Sequence, residues 1–130
     1  MELMSIEQKE ILEDTLMQIR NAINDLLLWN EHVDDFDVLL QSPGGMQDLA
    51  GNCMLIMAIA EGFKNVDKRT DGKLLPLRSE IPWHQVFGLR NRIAHGYFDI
   101  DVDVISSIIK DDLKPLLSAT DFFIKYLSND

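Results

Sequence analysis

The sequence holds a single cysteine, Cys53. An internal disulfide needs two cysteines and a zinc site needs a cluster of ligands, so neither is expected to hold this chain together. Cys53 lies in an apolar segment and reads as a small buried filler. Basic residues are also scarce. Lys and Arg number 12 against 22 Asp and Glu, a net charge of −10. That is the wrong sign for a protein gripping nucleic acid over a broad basic face. No apolar run reaches the length of about 18 residues needed to span a bilayer, and no charged-then-apolar leader is seen. Neither a membrane span nor secretion is expected, and a cytoplasmic location follows by default. Phosphate loops, dinucleotide fingerprints and serine-nucleophile motifs are missing. So are the Glu-x-x-His pairs of a di-iron bundle. Asp99, Asp101 and Asp103 open like a calcium loop, but the sixth position is Val104 and the twelfth Lys110, where Gly and Glu are needed. These acids are expected to cap a helix, and no cofactor is expected.

What is present is helical periodicity. The 130 residues suit one domain with one core, expected to span 1–130. Ser5 and Gln8 form a capping box. Leu12, Leu16, Ile19, Ile23, Leu26 and Leu27 follow at helical spacing to about Asn30. A short helix is expected over 34–40. Ser42 caps a second helix with Pro43 at its first position, and Gly44 and Gly45 delay the regular helix to about Met46. This helix runs to about Val66 and is apolar nearly all round, as in a central helix or one that also faces a second subunit. Asp71-Gly72 and Pro76 mark a loop. A third long helix is expected over 82–95. A last one carries Ile105, Ile109, Leu113, Leu116, Phe123 and Leu127, with Pro115 disturbing one turn. No strand is expected. The fold class is all-α, an antiparallel bundle of four long helices plus a short one.

Charge is unevenly spread. Residues 1–60 hold 2 basic and 11 acidic side chains, net −9, and residues 98–130 hold 3 and 7, net −4. Residues 61–97 hold 7 and 4, net +3, with Lys64, Lys68, Arg69, Lys73 and Arg78 preceding Arg90 and Arg92. A local phosphate site is compatible with this distribution, as is a solvated loop of ordinary lysines.

That positive third contains Gly88-Leu89-Arg90-Asn91-Arg92-Ile93-Ala94-His95-Gly96-Tyr97. An Arg can hold a phosphate by a fork of donors, and a His can move protons near neutral pH. On one unbroken helix, with Val86 at the centre of the buried stripe, Arg90 falls inside that stripe while Asn91 and His95 fall on the polar side. Asn91 and His95 are an i,i+4 pair. Arg90 and His95 point about 140° apart and do not meet on one face. Two copies of the motif could complete each other across a dimer. Spacing alone is equally met by a structural Arg90 ion pair, with Glu61 as one candidate partner, and by a His95 that caps the helix end before Gly96. His32 and His84 read as surface or structural.

Arg90-Asn91-x-x-x-His95-Gly96-Tyr97 resembles the Arg–polar–x3–His signature of the HEPN superfamily, in the Arg-x4-His-x-Tyr form of the HepT-like ribonuclease toxins. Ile81-Pro82-Trp83 resembles the family's lead-in to the motif helix, and Tyr97-Phe98-Asp99 its exit. The apolar helix around residues 55–64 and the Pro115-containing last helix extend the resemblance over about residues 50–118. It implies a HEPN-like helical bundle and a metal-independent endoribonuclease, the toxin of a type VII-like toxin–antitoxin pair. Arg90 would orient the scissile phosphate and stabilise its charge, His95 would act as general base or acid, and Asn91 would support them. The resemblance also implies a homodimer with the site at its interface, a 2′,3′-cyclic phosphate product, and a nucleotidyltransferase antitoxin that adenylylates Tyr97. RNA is the expected substrate, with no membrane and no DNA as partner. The second class of function is a non-catalytic bundle that serves as partner or substrate-binding subunit of a nucleotidyltransferase. The acidity of the chain favours it, while the intact Arg90, Asn91, His95 and Tyr97 favour the nuclease.

Overall fold

The computed structural model describes residues 4–93 and 99–129. The first helix, α1 (Ile6–Trp29), starts at the expected capping box: the Gln8 amide donates to Ser5 Oγ and the Ser5 amide to Gln8 Oε1, both at 3.1 Å. These two bonds satisfy amides that have no partner inside the helix. A 3-10 turn (Phe36–Gln41) follows, begun by Asp35, whose side chain accepts from the Asp37 amide.

Helix α2 (Pro43–Arg69) begins at Pro43, three residues before the start expected at Met46. The Ser42 hydroxyl accepts from the Gly45 amide at 3.0 Å. Gly45 has a steric reason to be there. A Cβ at this position would lie 2.7 Å from Leu39 Cα and against the Leu39 carbonyl oxygen. Gly45 lets the 3-10 turn close onto the helix.

After a second 3-10 turn (Leu75–Arg78), α3 (Trp83–Phe87) and α4 (Leu89–Ile93) occupy the stretch expected as one long helix. It is interrupted at Gly88, whose amide donates to the Gln85 carbonyl at 3.1 Å. Residues beyond Ile93 in that expected helix lie outside the described residues. The last rod is α5 (Val102–Ser107), a π-helical turn (Ile108–Asp112) and α6 (Leu113–Ser128). Pro115 explains the π turn. It has no amide to donate and its ring crowds the carbonyl four residues back, so the turn before it widens, with the Leu113 amide reaching back to Ile108. Asp101 caps α5 by accepting from the Val104 amide at 3.1 Å, the capping role expected of this acidic stretch.

Every regular element among the described residues is a helix or helical turn, with no strand. Three long rods pack together: α1, α2, and the run from α5 to α6. The fourth component is the broken α3–α4 pair instead of a fourth long helix. One core joins them, with Leu16, Ile23, Leu26, Leu49, Phe63, Ile93, Ile105 and Phe123 essentially closed to water. The last rod runs antiparallel to α1: Arg20 meets Asp121 at 3.8 Å, and Lys110 donates to the Asp34 carbonyl at 2.7 Å. One buried polar contact crosses the core. Asn30 and Asn52 exchange amide hydrogen bonds of 2.9 and 3.0 Å, and Asn30 also donates to the Leu26 carbonyl.

Candidate active site

Trp83 fixes where the α3–α4 pair starts. Its ring lies 4.9 Å from Phe63 of α2 and 5.9 Å from Phe123 of α6, and its indole N–H donates to the Arg78 carbonyl at 3.1 Å. From there the pair climbs the bundle on buried Val86, Leu89 and Ile93. At its other end the Asp101 amide donates to the Ile93 carbonyl at 2.8 Å, tying α4 to the start of α5.

Arg90 and Asn91 are both exposed. The expectation that Arg90 shares the buried stripe with Val86 is therefore corrected. Counting 100° per residue across Gly88 assumes one continuous helix. The chain restarts there, with the Asn91 and Arg92 amides both donating to the Gly88 carbonyl at 3.1 and 3.3 Å. Leu89 and Ile93 stay buried across the restart, while Arg90 lies on the exposed side. Glu61, one candidate partner for Arg90, instead pairs with Lys64 at 3.4 Å. Among the described residues Arg90 has no ion pair. His95 and Tyr97 lie outside the described residues, as do Ala94, Gly96 and Phe98.

Three cations of the basic segment before the motif are engaged locally. Lys64 is held by Glu61, and the Arg69 Nε donates to Asn65 at 3.1 Å. Arg78 pairs with Glu80 at 2.7 Å, donates to Ser118 and lies 5.3 Å over the Phe122 ring. The hydrogen bond from Arg78 holds the Glu80 carboxyl below its ordinary range. These cations belong to the end of the bundle where α3 begins. His84 and His32 are exposed, and Cys53 is buried, with burial pushing its thiol up. Among the described residues no three His, Cys, Asp or Glu gather as a metal site, and no helix is long and apolar enough to cross a membrane.

A groove of about 530 Å³ opens between α3–α4 and the π turn. Ile81, Val86, Leu89 and Ile108 are among its apolar lining, and Gln85, Arg92, Ser107 and Asp112 among its polar lining. Partial loss of water and the neighbouring Asp111 charge raise the Asp112 carboxyl, with Arg92 acting in the opposite direction. Pro115 inside a helical pattern predicts the irregular turn on one side of the groove, but nothing in the sequence says what packs against it.

A model of the HepT-like ribonuclease family matches residues 46–122, more than half of the chain. The chain belongs to the HepT-like ribonuclease family. It is 36% identical over 58 residues to the probable ribonuclease HepT of Thermococcus cleftensis, over 45% of this chain and 49% of that protein. The chain thus spans about half the length of the curated relative it matches. No solved structure matches it. Within this HepT-like chain the family match takes in nearly all of α2, both pieces of the broken pair and most of α6. It includes all four motif positions, Arg90, Asn91, His95 and Tyr97.

Proposed function

We propose that the protein is a metal-independent endoribonuclease and the toxin of a toxin–antitoxin pair, acting in the cytoplasm. The observation that carries this reading is the family match across residues 46–122, which includes an intact Arg-x4-His-x-Tyr motif. In the proposed mechanism Arg90 forks onto the scissile phosphate and stabilises the charge that builds on its oxygens. His95 takes the proton of the neighbouring 2′-hydroxyl, whose oxygen attacks phosphorus, and a proton is returned to the departing 5′-oxygen. The products are a 2′,3′-cyclic phosphate and a 5′-hydroxyl end. Asn91 orients the His or the phosphate. Two copies of the chain pair so that both motifs face one cleft. A nucleotidyltransferase antitoxin adenylylates Tyr97, placing a bulky anion two residues from His95, where it blocks the cleft and repels RNA.

Support from the structure is that Arg90 and Asn91 project into solvent on a short helix anchored by buried Leu89 and Ile93. An exposed guanidinium with no ion pair among the described residues is compatible with taking an anion. The net charge of −10 favours the second reading, a non-catalytic bundle bound to a nucleotidyltransferase. The test is incubation of the purified full chain with a mixed-sequence RNA, with His95→Ala alongside. Cleavage by the parent that the variant lacks supports the nuclease. An intact RNA pool with both proteins replaces it with the binding bundle.

A further inference from the structure

The acidity of the chain is concentrated in one stretch. From Asn21 to Phe63 there are seven Asp and Glu and no Lys or Arg, and all seven acids are exposed. This stretch holds the end of α1, the first 3-10 turn and most of α2. A groove of about 540 Å³ opens within it, lined by Trp29, Asn30, Gln47, Asp48, Gly51 and Asn52. Trp29 is 54% exposed, although tryptophan is highly buried on average. Its ring lies along Gly51, where a Cβ would sit 3.6 Å from Trp29 Cζ3. Among the described residues no cation or other ring lies on the indole, and Asp48 has no ion pair. Asn30 and Asn52 are the buried part of the lining. Their amides exchange hydrogen bonds, and each side-chain oxygen accepts one bond with a second lone pair to spare.

The lining therefore offers a π face, a carboxylate and amide oxygens, with no cation. A phosphate or an RNA strand is repelled by that balance. A metal ion needs clustered ligands, and among the described residues no three gather. A guanidinium fits every part, because it stacks on an indole and forks onto a carboxylate. The apolar surroundings call for a protein source. Met54 stands three residues after Gly51, on the same face of α2, and is 67% exposed, and Leu28 beside Trp29 is 62% exposed. A free small cation covers neither. We propose that this groove takes an arginine side chain from a basic segment of a partner protein, with Trp29 as the stacking wall and Asp48 as the counter-charge. Asp25, one turn before Trp29 on α1, adds to the attraction. A second copy of the chain, at net −10, is repelled by the same carboxylates. The site is separate from Arg90 and stands whether or not the chain cuts RNA.

The test adds a short amphipathic peptide of Arg and Leu to the isotope-labelled full chain, beside counterparts with Lys or Glu in place of Arg. The signals followed are the Trp29 indole and the Gln47, Asp48 and Gly51 amides. The Arg peptide is expected to shift them, the Lys peptide to do so about tenfold more weakly for want of a planar fork, and the Glu peptide not at all. Trp29→Leu and Asp48→Asn should each weaken the Arg peptide by about tenfold, with melting temperature showing that the fold is kept. Asp14→Asn removes an exposed charge from α1 about 22 Å from Trp29. That is beyond the reach of a screened charge, so its affinity should stay that of the parent. The proposal is overturned if Asp14→Asn costs as much as Asp48→Asn, if the Lys peptide binds as tightly as the Arg peptide, or if no shift appears at millimolar peptide. It also falls if a mixed-sequence RNA shifts the same signals, or if Trp29→Leu halves the mass seen by light scattering, which would assign the groove to RNA or to a second copy.

Discussion

Arg90 makes a different demand on the fold from the residues around it. Leu89 and Ile93 are 4% and 0% exposed and hold α4 in place, while Arg90 points away from them and contacts no carboxylate among the described residues. Arg90→Ala should therefore leave the melting temperature within a degree or two of the parent and abolish cleavage under the proposed function. A large drop in melting temperature would show that the guanidinium has a structural partner. His95→Ala removes the proposed general acid–base and should slow cleavage by about 10²–10⁴, read with thermal melting alongside. Asp112 permits a pH prediction. Its carboxyl is raised in the folded state, first by partial desolvation and then by Asp111. Stability from this group is thus present below its unfolded value of about 3.9 and is lost as pH rises through the folded value. Asp112→Asn, which has no charge to strand, should gain in melting temperature relative to the parent at pH 7 and gain less at pH 3.5. An equal difference at both pH values would argue that the carboxylate is fully solvated.

The elements were legible in the sequence wherever a cap or a period defined them. The capping box at Ser5, the Ser42–Pro43 start and the Asp101 cap stand where the sequence places them. The misread elements share a cause. Whether a glycine or a proline breaks a helix depends on what packs against it, and that is tertiary information. Gly45 was read as weakening a helix, but it is needed because the Leu39 backbone lies against it. Gly88 was read as part of a helix and instead divides it, which turned Arg90 from the buried side to the exposed one. The first of these can be tested. Gly45→Ala should cost about 1–3 kcal/mol, the range for forcing extra atoms into a packed contact, whereas Gly44, with open space around its Cβ position, should tolerate the same change at little cost. Urea denaturation of the two variants separates them. Asn52→Ala should cost a similar 1–3 kcal/mol, because it leaves the buried Asn30 side chain short of a partner across α1 and α2.

At the scale of the whole molecule, charge is the strongest constraint on mechanism. A net −10 leaves little to attract an RNA from a distance, so the proposed activity depends on a few local contacts, with Arg90 among the exposed cations. The salt response should reflect this. The slope of log affinity against log salt scales with the number of phosphates neutralised, at about −0.7 for each contact on a single strand. A substrate held by two or three cations should show a slope of about −1.5 to −2, well below that of proteins with broad basic faces. Pairing of two chains would roughly double the local cations and steepen the slope, so the measurement belongs beside light scattering, where the proposed homodimer gives about twice the mass of 14.9 kDa. The chemistry can be checked on the same sample. Because the proposed nucleophile is the substrate's own 2′-hydroxyl and the proposed proton carrier is His95, cleavage should continue in EDTA, leave a cyclic phosphate end, and stop when the 2′-hydroxyl at the scissile position is replaced by hydrogen. Cutting that needs magnesium, or that survives the deoxy change, would require a different nucleophile and would remove His95 and Arg90 from the roles assigned to them.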